Sequence, residues 1–203
     1  PTLQEVPQDG SNPVLTTSVN YRNADVALAG IAEDGNGVAS VTVEYSKEGG
    51  STQTLPTDLE DDGRWSTVLP SSLGDGAYEI TVTAEDTLNK RQRLSGNLVI
   101  DTTEPTLEVT APVANKQIET DSYTIGGRVS DGEGRGVQEL SYSLDSADGI
   151  DGTWTDVVVR GLNWSVEDVD FSSDGEGTKT LWVRAGDGLN EYTIDEIEFY
   201  YDV

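Results

Sequence analysis

The clearest periodic signal is the run Tyr78-Glu79-Ile80-Thr81-Val82-Thr83-Ala84, in which every second residue is apolar. Period two puts Tyr78, Ile80, Val82 and Ala84 on one face of a strand and the polar residues on the other. The pattern returns later in the chain, where Leu181, Val183 and Ala185 alternate with Trp182 and Arg184. The match extends on both sides, Gly76 through Asn89 lying over Gly177 through Asn190. Earlier segments pair in the same way. Val41, Val43 and Tyr45 correspond to Leu140, Tyr142 and Leu144, and Val26 through Ala32 corresponds to Tyr123 through Val129. In those last two runs the buried face starts at Val26 and at Tyr123, which points Ile31 and Arg128 outward. Closing strands run through Leu94–Ile100 and Tyr192–Tyr201. Before residue 20 the text is irregular, broken by Pro7, Gly10 and Pro13, so only short edge strands fit there.

The chain therefore reads as two copies of one module, residues 1–103 and 104–203, joined through Val99–Leu107. At the joint Pro105 interrupts one strand before the next begins. No stretch carries a sustained helical period. Roughly seven short strands per copy, separated by Gly, Asp and Asn turns, predict an all-β chain of two tandem immunoglobulin-like antiparallel β-sandwiches. Tyr78, just after Asp75-Gly76, falls where that fold places its tyrosine corner. The second copy has Lys179 there, so its corner needs another fastening. Trp65 and Trp164 recur at equivalent places and are assigned to the core or its rim.

The run Gly74-Asp75-Gly76-Ala77-Tyr78 through Ala84-Glu85-Asp86-Thr87-Leu88-Asn89, followed by Ile100-Asp101-Thr102-Thr103-Glu104-Pro105-Thr106, resembles the bacterial Ig-like repeats of large surface and secreted proteins, including RTX-type adhesins. The resemblance covers both copies. It implies extender modules outside the cell or on its surface, with neighbouring Ig-like modules in the same chain as partners and calcium at module junctions. Glu104 before the proline departs from the usual linker.

Composition narrows the chemistry. The 203 residues include neither Cys nor His, which excludes disulfides, thiolate metal sites, cysteine nucleophiles and His-based triads. The net charge of −26 is shared, −10 before residue 104 and −16 from it onward. Such a surface repels nucleic acid and attracts cations, basic proteins and divalent metals. Solubility and a saline habitat are its plainer explanations. No signal peptide or transmembrane run is present, and a chain that starts at Pro1 reads as a fragment with no membrane insertion of its own.

The candidate chemistry lies in the loops. In this topology the loops after the second and sixth strands share the module's N-terminal pole. Asp131, Glu133 and Asp187 should therefore gather near the incoming Asp101 and Glu104. Carboxylates so crowded repel one another, and calcium, which takes six to eight oxygens in flexible geometry, suits them best. Asp34 and Asp86 form a thinner version in the first copy. The alternative is that these residues only shape turns. Asp58, Glu60, Asp62 and Gly63 echo the start of an EF-hand loop, but its twelfth position falls on Leu69, so the segment is read as a turn. Trp182 lies on the outward parity of its strand beside Arg184. That makes it a possible contact for a sugar ring, or else a cation–π partner of Arg184. Carboxylates in turns of two small sandwiches imply no catalytic pocket. The reading is a non-enzymatic extracellular spacer of an adhesin-like protein, stiffened by calcium at the linker. The alternative is an adhesion or carbohydrate-binding module, or an accessory module of a secreted polysaccharide-active enzyme, with a host or surface ligand or glycan as partner.

Overall fold

The computed structural model describes residues 1–203 apart from 8–12, 17, 23–25 and 133 and the side chain of Asp174. It separates into two compact units, Pro1–Thr102 and Thr103–Val203, one residue before the division read from the repeat.

The first unit contains β1 (Thr2–Glu5), β2 (Val19–Arg22), β3 (Ala27–Glu33), β4 (Val38–Lys47), β5 (Gln53–Leu55), β6 (Asp58–Leu59), β7 (Arg64–Val68), β8 (Gly76–Asp86) and β9 (Arg91–Ile100). They form one sheet in the order β1-β3-β7-β6 and a second in the order β2-β9-β8-β4-β5. β8 keeps strict alternation along its whole length, burying Gly76, Tyr78, Ile80, Val82, Ala84 and Asp86. This face meets Leu28, Trp65 and Leu98 in a single core. Trp65 lies directly over Gly30 of the neighbouring strand. A Cβ on Gly30 would fall 2.0 Å from the Gln4 carbonyl oxygen and 2.6 Å from the Trp65 ring, so only glycine fits under the indole. Ile31, the next residue, points outward as its parity requires.

The second unit contains β10 (Thr106–Ala111), β11 (Gln117–Ile118), β12 (Ser122–Ser130), β13 (Glu139–Ser143), β14 (Thr155–Asp156), β15 (Asn163–Asp170), a 3₁₀ turn (Ser172–Asp174), β16 (Gly177–Gly186) and β17 (Thr193–Tyr201). Its sheets run β10-β12-β15 and β11-β17-β16-β13-β14. The tryptophan-over-glycine arrangement recurs, with Trp164 over Gly127. Among the described residues the smaller sheet has no counterpart of β6, which leaves β15 at its edge.

One feature departs from a purely antiparallel sandwich. β2 pairs in parallel with β9, Val19 opposite Asn97 through Arg22 opposite Ile100. β11 pairs in parallel with β17. The N-terminal segment of each unit starts in one sheet and crosses to the other. It then runs beside the last strand in the same direction.

The tyrosine corner is formed in the first unit, where the Tyr78 hydroxyl donates to the Gly74 carbonyl at 2.7 Å. The second unit fastens the equivalent region differently. Lys179 lies over the Tyr201 ring, 5.8 Å from its centre, and the Tyr201 hydroxyl donates to Asp121 Oδ1 at 2.8 Å.

Candidate metal centre

Asp187 follows directly on the last residue of β16 and has no exposed surface. Its Oδ1 accepts the backbone N–H groups of Leu189 (2.7 Å) and Asn190 (2.8 Å), and its Oδ2 accepts Asn190 Nδ2 at 2.7 Å. Burial pushes this carboxyl upward, but the hydrogen bonds from Asn190 and Leu189 outweigh it and hold the group below the ordinary carboxylate range. Asp187 is therefore a buried anion at neutral pH.

Asp131 follows β12 and is also buried. Its Oδ2 accepts the Gly136 N–H at 2.6 Å and its carbonyl accepts the Gly134 N–H at 3.0 Å. Gly132 and Gly136, at φ +57° and +84°, supply the left-handed conformations this tight loop requires. One carboxylate oxygen of Asp131 and one of Asp187 lie within 4.8 Å of each other. Two oxygens bound to one calcium at 2.3 to 2.6 Å stand at most about 5 Å apart, so this spacing is within reach of a single ion. Two charges at such a distance repel by roughly 1 kcal/mol in water and about 4 kcal/mol near a protein surface.

The same asparagine fastens the entering chain. Asn190 Nδ2 also donates to the Thr103 carbonyl at 3.2 Å, and Thr193 Oγ1 donates to the Pro105 carbonyl. Arg135 Nη1 donates to the Asp187 carbonyl oxygen at 3.1 Å, which puts one cation beside the pair.

The other predicted ligands are placed as follows. Asp101, just past β9, is buried, and its N–H donates to the Arg22 carbonyl at 2.9 Å. Glu104 is exposed. Glu133 lies outside the described residues. In the first unit Asp34 Oδ1 accepts the Asn36 N–H at 2.8 Å, and its Oδ2 pairs with the Pro1 amino group at 3.0 Å. The Asn36 bond, with the amino group second, lowers its pKa. Asp86 is buried, its Oδ1 accepting Leu88 N and Lys90 N at 2.8 Å each. Its Oδ2 is enclosed without a hydrogen-bond partner among the described residues. Thr87 stitches the two loops together, its N–H reaching the Gly37 carbonyl and its hydroxyl the Asn36 carbonyl.

Trp182 faces outward but is half-buried, because the loop after β13 lies across it. A Cβ on Gly149 would come within 2.7 Å of the Trp182 ring. The Arg184 guanidinium instead stacks on Trp154, 4.1 Å from the ring centre, and on Tyr192, at 4.9 Å. Sequence reasoning missed both partners, since neither Trp154 nor Tyr192 stands in an alternating run.

The bacterial Ig-like domain model matches residues 22–102. No curated protein matches the chain. Among solved structures, the tetra-tandem repeat in the extending region of a large adhesion protein is 19% identical over 89% of this chain, with a TM-score of 0.42. This chain spans 46% of that structure. The I67–I69 I-band fragment of titin is 8% identical over 92% of this chain and 62% of its own length, with a TM-score of 0.60, a likeness of fold alone. Residues 22–102 thus match the bacterial Ig-like domain, and both units carry the immunoglobulin-like sandwich fold.

Proposed function

We propose that the chain is a pair of non-enzymatic extender modules from a surface or secreted adhesin-like protein, stiffened by calcium where the first module hands over to the second. The observation that carries this reading is the buried pair Asp131 and Asp187, two carboxylates within 4.8 Å beside the entering strand. Calcium, which takes six to eight oxygens in flexible geometry, suits such a site better than magnesium, which demands a near-ideal octahedron. Asp101 completes the set in this reading. It stands two residues ahead of Thr103, which Asn190 ties to the Asp187 loop, and two extended residues span about 7 Å. Glu104 and Glu133 are the further acidic candidates. Asp34 and Asp86 form a second, weaker site, for which the enclosed Asp86 Oδ2 speaks. The match of residues 22–102 to a bacterial Ig-like domain and the internal repeat support the extender role and a place outside the cell or on its surface. Among the described residues no helix is long and apolar enough to cross a membrane.

Small-angle scattering in calcium and in EDTA tests the mechanism. Calcium should narrow the distribution of maximum dimensions in the unmodified chain and leave Asp187→Asn unchanged. Identical curves in both buffers, with a melting temperature indifferent to EDTA, would remove calcium from the account while leaving the fold intact.

A further inference from the structure

We propose that the outer face of the second unit's larger sheet carries a binding site for a carboxylated sugar, anchored by Arg184. This goes beyond the calcium-stiffened spacer and does not depend on it. Arg184 Nε donates to Ser141 Oγ at 3.0 Å, which fixes the plane of the guanidinium. Trp154 comes from the β13 side of β16 and Tyr192 from the β17 side, and both rings lie against the guanidinium. With both rings against the group and Nε engaged, the two terminal nitrogens are left with no hydrogen bond or ion pair among the described residues. Their edge matches a carboxylate in two-point geometry.

Among the described residues no carboxylate lies within ion-pair distance of Arg184, although the chain has 38 acidic residues and 12 basic ones. The nearby Glu139 is taken up by the Tyr192 hydroxyl. Tyr192 lies against the guanidinium and Ile194 stands opposite Arg184 on β17, 42% and 40% exposed, an apolar rim against which the C–H face of a sugar ring can pack. The first unit has Thr81 and Thr83 where this face has Trp182 and Arg184, so the site belongs to the second unit alone. The protein's overall negative charge opposes an anionic ligand, but at physiological salt it is screened beyond about 8 Å, and the contact is local.

The test is an NMR titration of the whole chain in EDTA at physiological salt, following the Arg184 Nε–H and Trp154 Nε1–H signals, with D-glucuronate, D-glucose and acetate as probes. Glucuronate should shift both signals saturably, with a Kd of roughly 1 mM and at least tenfold tighter than either comparator. Arg184→Lys, which keeps the charge and loses the fork, should weaken glucuronate at least about tenfold. Tyr192→Ala, at an exposed position, should weaken it without loss of the fold. No saturable shift with glucuronate overturns the site. Equal binding of glucuronate and acetate overturns the sugar, leaving an adventitious ion only. Because EDTA is present throughout, success or failure here is independent of the calcium mechanism.

Discussion

The carboxylate of Glu5 accepts the backbone N–H of Leu15 at 2.5 Å, and its second oxygen accepts that of Val14 at 2.9 Å. Glu5 is itself buried at the end of β1, so one acidic side chain holds the segment that follows β1 against the core. Glu5→Ala leaves two buried donors without an acceptor and should cost roughly 2–6 kcal/mol, twice the loss for one orphaned group. Urea denaturation followed by hydrogen exchange should show the loss in the first unit and leave the second unchanged.

Gly30 and Gly127 make a matched pair of tests. A methyl group at either position meets a backbone carbonyl oxygen at 2.0 Å, Gln4 in one unit and Glu108 in the other, before it meets the tryptophan ring. Neither carbonyl can retreat without breaking its strand pairing. Gly30→Ala and Gly127→Ala should each cost about 3 kcal/mol or more, as severe overpacking does. Calorimetry should find one transition lowered in each variant, a different one each time.

Tyr78 and Tyr201 close equivalent regions by different bonds, and this makes their responses differ. Tyr78→Phe leaves the Gly74 carbonyl without its phenol donor and should lower the first unit's stability by about 1–2 kcal/mol. Tyr201 donates to Asp121, and that bond, with burial second, pushes the phenol up to about 12 from its ordinary value of 10.0. The neutral phenol is the form the fold favours. Its contribution is therefore complete below pH 10 and fades as the pH rises through about 12. Alkaline denaturation of the second unit should show this loss, and Tyr201→Phe should remove the dependence.

Asp187 responds in the opposite sense. Its pKa is held below the ordinary carboxylate value, so its contribution is complete above that value and is lost as the pH falls through the lowered one. Acid denaturation of the second unit should show this loss, and Asp187→Asn should remove that part of the pH dependence. Calcium affinity, measured by calorimetry, should fall together with this ionisation.

The sequence made the sheets legible because period two is a property of the chain itself. β8 and β16 and the outward turn of Ile31 and Arg128 follow from it, and the placing of Trp65 and Trp164 follows from the internal repeat. The turn role, the alternative to metal binding for Asp34 and Asp187, is equally local, since each accepts N–H groups within three residues of itself. Contacts set by the return of a loop over a sheet were not legible. The Glu5 clasp joins residues nine and ten apart with no periodic mark between them. The stacking of Arg184 on Trp154 depends on a loop folding back over β13, and nothing in the alternation records that path. The parallel pairing of β2 and β11 was hidden for the same reason. Strand direction at an edge depends on which sheet the chain has crossed to.

That parallel pairing has a mechanical consequence. β2 lies near the start of its unit and β9 at the finish, side by side and pointing the same way. A tug that separates the two ends slides these strands along their common axis, so the cross-strand bonds bear the load together instead of parting one after another like a zip. Tension along the chain thus loads these paired strands in shear.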